Sequence, residues 1–181
     1  MTNRLPELSI CVVGWNTRAE LRSCLDSMIG GASGLDYEVI VVDNASGDDS
    51  VEMLTRNYPW VKSIRNRSNL GFARACNQAI GISKGKYIQL LNPDTIVRSG
   101  ALKKLVEFAD SVPEAGIVGC KVLNADGTLQ YSCRRFPTLL AGALRNTPIG
   151  ALFANSRHVA DYLMSNWDHN STRSVDWVSG A

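Results

Sequence analysis

Four short apolar runs punctuate the first half of this chain and alternate with stretches of helical period. Leu8–Val13 and Tyr37–Val42 are continuous rather than alternating, as in strands buried on both faces. Val61–Arg65 and Tyr87–Leu91 read as two further strands. Thr17 and Glu20 have capping-box spacing, and the helix they open should bury Leu21, Leu25, Met28 and Ile29 until Gly30-Gly31 stops it. Asp49 and Glu52 repeat the capping pattern before a short helix ending ahead of Pro59. Phe72–Ile82 predicts a helix closed by Gly85, and Leu102, Leu105, Val106 and Ala109 mark one that ends before Pro113.

Strand and helix in strict alternation imply an α/β fold, a mostly parallel sheet with helices on both faces. Such sheets bind ligands at the carboxyl ends of their strands. Three polar clusters fall there: Gly14-Trp15-Asn16-Thr17, Asp43-Asn44-Ala45-Ser46 and Asn92-Pro93-Asp94-Thr95. The regular pattern stops at Val112, so residues 1–112 and 113–181 are expected to be a ligand-binding portion and a less regular portion of one domain. In the second portion Gly116–Val122 and Leu129–Cys133 suggest strands around a turn at Asn124–Gly127, and Ser174–Ser179 a last strand.

Composition narrows the function. With 45% hydrophobic and 20% charged residues the 181-residue chain is not a disordered one. A net charge of +2 without a Lys/Arg block gives nucleic acid nothing to bind. The five cysteines are unpaired by spacing, and Cys11, Cys24 and Cys76 sit in apolar patterns, which predicts buried thiols and a reducing cytoplasm. Met1–Glu7 has no apolar secretion core, and no apolar run has bilayer length. His158 and His169 are the two histidines, too few for a zinc site without a cysteine cluster.

Three places could bear chemistry. Asp43, at the end of a buried strand, could accept a hydrogen bond from a base N–H or a ribose hydroxyl, or could cap its own turn. Asp94 could share a divalent cation with a diphosphate, although Asn92-Pro93-Asp94 also has turn chemistry. The helix opening at Asn69-Leu70-Gly71-Phe72-Ala73-Arg74 could turn its first N–H groups and Arg74 toward a phosphate, or Gly71 could be a hinge and Arg74 a solvated cation. A P-loop, a Gly-x-Gly-x-x-Gly turn and a Gly-x-Ser-x-Gly elbow are all missing, which removes the commonest nucleotide and hydrolase alternatives.

Taken together, Ser9–Asn16, Glu38–Ser46, Asn69–Asn77 and Gly85–Asp94 stand in the order and spacing of a known family. The chain resembles glycosyltransferase family 2, of GT-A fold, over essentially its whole length. Leu91-Asn92-Pro93-Asp94-Thr95, Arg134-Arg135-Phe136-Pro137-Thr138 and Asp176-Trp177-Val178-Ser179-Gly180-Ala181 resemble its rhamnosyltransferase-like branch. The resemblance implies an inverting transfer of a sugar from a nucleoside diphosphate to a glycan or lipid-linked acceptor, in cell-wall or polysaccharide biosynthesis. It implies a nucleotide pocket of Val13, Gly14, Trp15, Asn16, Asp43, Asn44, Arg74 and Asn77, with Asp43 reading a pyrimidine base. Asn92 and Asp94 would take the Asp-x-Asp position that holds a magnesium or manganese ion on the diphosphate, with Asn92 replacing the first carboxylate.

The family's catalytic base belongs to a Glu-Asp motif beyond the Trp-Val-Ser-Gly-Ala segment, where this chain ends. Asp161, Asp168, Asp176 and His169 stand in no matching context, so no catalytic residue is assigned and poor transfer by this chain alone is expected. Two other functions compete: a non-catalytic nucleotide-sugar-binding module, and a nucleotidyltransferase. The latter should carry a basic Gly-rich loop where Gly14-Trp15-Asn16-Thr17 stands. A cytoplasmic location is expected; residues 134–153, where Arg134 and Arg135 precede apolar Leu139–Leu144, could contact the inner membrane face or could pack in the core or against residues beyond the chain. Apolar surface around Trp177 and Val178 would favour a homodimer or aggregation.

Overall fold

The computed structural model describes residues 5–32, 34–137 and 157–179. It divides into two compact units, 1–118 and 119–181.

The first unit is built on four parallel strands in the order β3-β2-β1-β4. They are β1 (Leu8–Gly14), β2 (Tyr37–Asp43), β3 (Lys62–Arg65) and β4 (Tyr87–Leu91). The central strand β1 pairs Leu8 with Tyr37 on one side and with Tyr87 on the other, in register to Gly14–Asp43 and Val12–Leu91. Helices cover both faces. On one, α1 (Arg18–Gly31), α2 (Ser50–Asn57) and α4 (Ala101–Ser111) pack Leu21, Leu25, Met28, Met53, Leu54, Leu102 and Val106 against Leu8, Ile10, Val12, Val39 and Val41. On the other, α3 (Phe72–Ile82) sets Ala75 and Ala79 on Cys11, Ile40 and Val42. Both faces of β1 and β2 are therefore dry, which is why their sequences run apolar instead of alternating.

Local departures from the sequence pattern have plain causes. Ile29 is 65% exposed, because the buried stripe of α1 runs through Leu21, Cys24, Leu25 and Met28 and turns away from position 29. As expected, α1 ends at Gly31, and it does so in close contact: a Cβ there would lie 2.4 Å from Val97 Cγ1. Neither capping box forms. Thr17 and Asp49 occupy the N-cap positions of α1 and α2, and neither makes a side-chain cap bond.

A polar stitch closes the amino ends of the strands. Glu38 accepts hydrogen bonds from Ser9 Oγ (2.6 Å) and the Lys84 backbone N–H (2.6 Å), and it pairs with Lys62. Ser9 Oγ also accepts the Gly85 N–H at 2.8 Å. The chain passes so close that a Cβ on Gly85 would sit 2.4 Å from the Ser9 backbone nitrogen. Burial works against the Glu38 charge, but the bonds from Lys62, Ser9 and Lys84 outweigh it and hold the carboxyl below the usual range.

The second unit has two short antiparallel ladders: β5 (Val122–Leu123) with β6 (Leu129–Gln130), and β7 (Cys133–Arg134) with β8 (Trp177–Val178). The expected strand Gly116–Val122 is not formed before Val122, and Leu129–Cys133 is split between the two ladders. Strand Ser174–Ser179 shrinks to β8. Helix α5 (Arg157–Leu163) meets the chain after β7 through Arg135 N–H to Tyr162 O at 3.0 Å. The apolar stretch Leu139–Leu144 lies outside the described residues.

Candidate functional site at the strand ends

The topology reverses at β1, which leaves a crevice where its carboxyl end meets those of β2 and β4. Asp43 ends β2 there and is 3% exposed. Its Oδ2 accepts the Ser46 N–H at 3.2 Å, while its buried Oδ1 has no hydrogen-bond partner among the described residues. A buried carboxylate oxygen left unmatched costs free energy, so a ligand donor is the natural complement.

Two loops flank Asp43 and are tied together. The Asn16 N–H donates to Ser46 Oγ (2.9 Å), the Gly47 N–H to Asn16 Oδ1 (2.8 Å), and the Asn44 N–H to Gly14 O (2.8 Å). Asp48, not Asp49, supplies the cap of α2, accepting from Ser50 N–H (3.2 Å) and Ser50 Oγ (2.5 Å). Its other oxygen accepts the Arg18 N–H at 2.8 Å. Burial raises the cost of its charge, yet these donors hold the Asp48 carboxyl below the usual range. Trp15 projects from this junction with 55% of its surface exposed, beside half-buried Val13 and buried Gly14.

Asn44 is spent on scaffolding. Its Oδ1 accepts from Leu70 N–H (3.0 Å) and Asn66 Nδ2 (3.1 Å), and its Nδ2 donates to Asn69 Oδ1 (2.8 Å). Asn66 and Gln78 exchange two amide bonds of 2.9 Å. This network seats the loop that starts α3, whose exposed Arg74 and Asn77 face outward from its first two turns. Asp48, Asn66 and Gln78 were not singled out by sequence. Each acts through a partner distant in the chain, which the sequence pattern does not reveal.

Asn92 follows β4, and its carbonyl accepts a 3.8 Å bond from Cys24 Sγ. Asp94 is exposed and lines a groove of about 260 Å³ with Ala19, Glu20, Ser23 and Ile96. A larger groove of about 520 Å³ lies beside the Glu7 and Lys86 ends of β1 and β4, away from this chemistry. Among the described residues no three His, Cys, Asp or Glu side chains cluster to hold a metal by themselves. One carboxylate beside an amide fits an ion shared with a diphosphate rather than a closed protein site.

In the second unit the acidic candidates are occupied locally. Asp161 accepts from Asn166 (3.4 Å), Asp168 from the Asn170 N–H (3.0 Å) and side chain (2.9 Å), and Asp176 from the Phe136 N–H (2.7 Å). His169 stacks on Trp167 at 4.0 Å, bonds the Trp167 carbonyl through Nδ1 at 2.8 Å, and buries Nε2 without a hydrogen-bond partner among the described residues.

A parallel strand-helix sheet with its polar loops gathered at one end, one carboxylate buried at β2 and another exposed after β4, has the layout of a GT-A fold. The family follows from the sequence match: residues 9–175 fit the model of glycosyl transferase family 2, and the chain belongs to that family. It is 27% identical over its full length to the N-acetylglucosaminyl-diphospho-decaprenol L-rhamnosyltransferase of Mycobacterium tuberculosis, spanning 61% of that protein. It is also 27% identical, over 97% of its length, to 18% of the hyaluronan synthase of Pasteurella multocida. Among solved structures, S. aureus TarS 1-349 in complex with UDP matches 70% of this chain and 39% of its own, with a TM-score of 0.58 at 20% identity, and so shares the fold.

Proposed function

We propose that this chain binds a pyrimidine nucleoside diphosphate sugar as the donor of an inverting glycosyl transfer. The observation that carries the reading is Asp43, buried at a strand end with one carboxylate oxygen unmatched. A base N–H or ribose hydroxyl would satisfy it, with Trp15 offering an aromatic face beside the pocket. The UDP named in the TarS structure and the rhamnosyl transfer named for the mycobacterial relative support the same class of donor. By that likeness the transferred sugar is rhamnose or a close analogue, and the acceptor a glycan or a lipid-linked diphosphosugar.

In the reaction an acceptor oxygen forms a bond to the anomeric carbon, the bond from that carbon to the diphosphate breaks, and the acceptor proton passes to a base. Asp94, with Asn92 beside it, would hold magnesium or manganese, which when bound offsets the charge on the departing diphosphate. Val13 to Asn16 line the nucleotide, and Arg74 and Asn77 face it from α3. Peripheral contact with an anionic membrane through residues 134–153, at the cytoplasmic face, belongs to the same proposal.

Calorimetry with uridine, cytidine and thymidine diphosphates tests the donor reading. Asp43→Ala should weaken the preferred nucleotide by about 1.5–3 kcal/mol, the value of a hydrogen bond to a charged group. Unchanged affinity removes Asp43 from the pocket.

A further inference from the structure

We infer that Asp48 is a positioning residue for the donor pocket: its one carboxylate latches the loop after β1 to the loop after β2 and so fixes Asp43 and Trp15 relative to each other. The inference rests on the donor reading above and adds a residue that touches no substrate.

The geometry is specific. Arg18 and Ser50 are the first residues of α1 and α2, and both backbone N–H groups point at Asp48, at 2.8 Å and 3.2 Å. Neither helix has a cap bond from its own N-cap side chain. The two orphan helix starts are thus served by a single anion, and the positive ends of both helices favour its charge. The tie then runs inward. Gly47, next to Asp48, donates to Asn16 Oδ1; the Asn16 N–H donates to Ser46 Oγ; and the Ser46 N–H donates to Asp43 Oδ2. Asn16, Ala45 and Asp49 hold left-handed φ values of 54°, 69° and 61° in these loops. Asn and Asp adopt this region readily, but Ala45 holds it only because the bonds around it impose it. Releasing Asp48 therefore frees both loops toward ordinary backbone, and with them the orientation of the unmatched Asp43 oxygen.

The test measures UDP, CDP and dTDP affinity by calorimetry for wild type, Asp48→Ala and Asp48→Asn, at a temperature where near-ultraviolet circular dichroism shows each to be folded. Asp48→Ala should weaken the preferred nucleotide about tenfold through lost preorganisation. Asp48→Asn, which keeps an acceptor oxygen for one tie only, should fall between. If Asp48 merely supported the fold, Tm would drop and Kd would stay; wild-type affinity in folded Asp48→Ala overturns the inference. Should Asp48→Ala fail to fold, Asp48→Asn decides, and wild-type affinity there overturns it equally. Wild-type protein that binds none of the three overturns the donor reading itself, an outcome seen before any variant is made.

Discussion

Asp43 and Asp48 share a loop and differ in how far sequence reveals them. A lone carboxylate closing a buried strand is conspicuous, because strand ends are where sheets of this kind bind ligands. Asp48 is silent, because its meaning depends on the Arg18 amide, 30 residues away. The same holds for Asn44, whose place beside Asp43 was legible but whose commitment to Asn66, Asn69 and Leu70 was not. The lower-face counterpart is Glu38. Its depressed folded pKa contributes stability that is complete above the ordinary glutamate range and is lost as pH falls through the depressed value. Glu38→Gln should therefore flatten the acid limb of stability below about pH 5. Denaturant titrations at stepped pH check this, and parallel acid limbs in variant and wild type would contradict it. Asp94 makes the opposite expectation. With one carboxylate, manganese should bind measurably only when a nucleoside diphosphate is present, and Asp94→Ala should abolish that linkage. Electron paramagnetic resonance titration of free manganese reads both, and tight binding without nucleotide would count against it.

At the scale of elements, the first unit was legible and the second was not. Helix Phe72–Ile82 and strand Tyr87–Leu91 appear where the pattern put them, although α3 buries Ala75, Cys76 and Ala79 whereas β4 leaves Ile88 and Leu90 exposed. The short ladders of the second unit have no such signal: β5 to β8 are two residues each, set by turns and cross-chain bonds such as Ser179 N–H to Ser132 O. The capping boxes failed for a related reason, because a cap bond can be supplied from another loop. Gly85, expected only as a helix stop, is where α3's return path crosses β1. Gly85→Ala forces a methyl into the Ser9 backbone, which cannot yield as a side chain would. The cost should be about 3 kcal/mol, the upper end for overpacking, or a Tm lower by roughly 6–12 °C. Differential scanning calorimetry decides, and a shift under about 2 °C would mean that the crossing relaxes freely.

The molecule as a whole is two compact units. Among the described residues, every member of both hydrophobic clusters lies before position 119, so the first unit carries its own core and the proposed donor site. A fragment of residues 1–118 should then fold cooperatively and bind the same nucleoside diphosphate as the full chain within about threefold, a difference under 1 kcal/mol. Denaturation followed by calorimetry checks it; a fragment lacking a cooperative transition would show that the second unit is needed. The chain spans 61% of the mycobacterial relative it matches, and no helix among the described residues is long and apolar enough to cross a membrane.

The order of the strands also sets a timetable for the newborn chain. β1 is made first yet lies in the middle, and its second neighbour, Tyr87–Leu91, is the last strand of the sheet to be made. At ordinary translation speeds, one edge of Ser9–Val12 waits on the order of several seconds for its partner. During that interval a stretch of Ile10, Cys11, Val12 and Val13 has an open hydrogen-bonding edge and half-covered apolar faces, the features that holding chaperones recognise. Silent codon changes that speed or slow synthesis between β2 and β4 would alter the yield of soluble protein without altering a single residue of it.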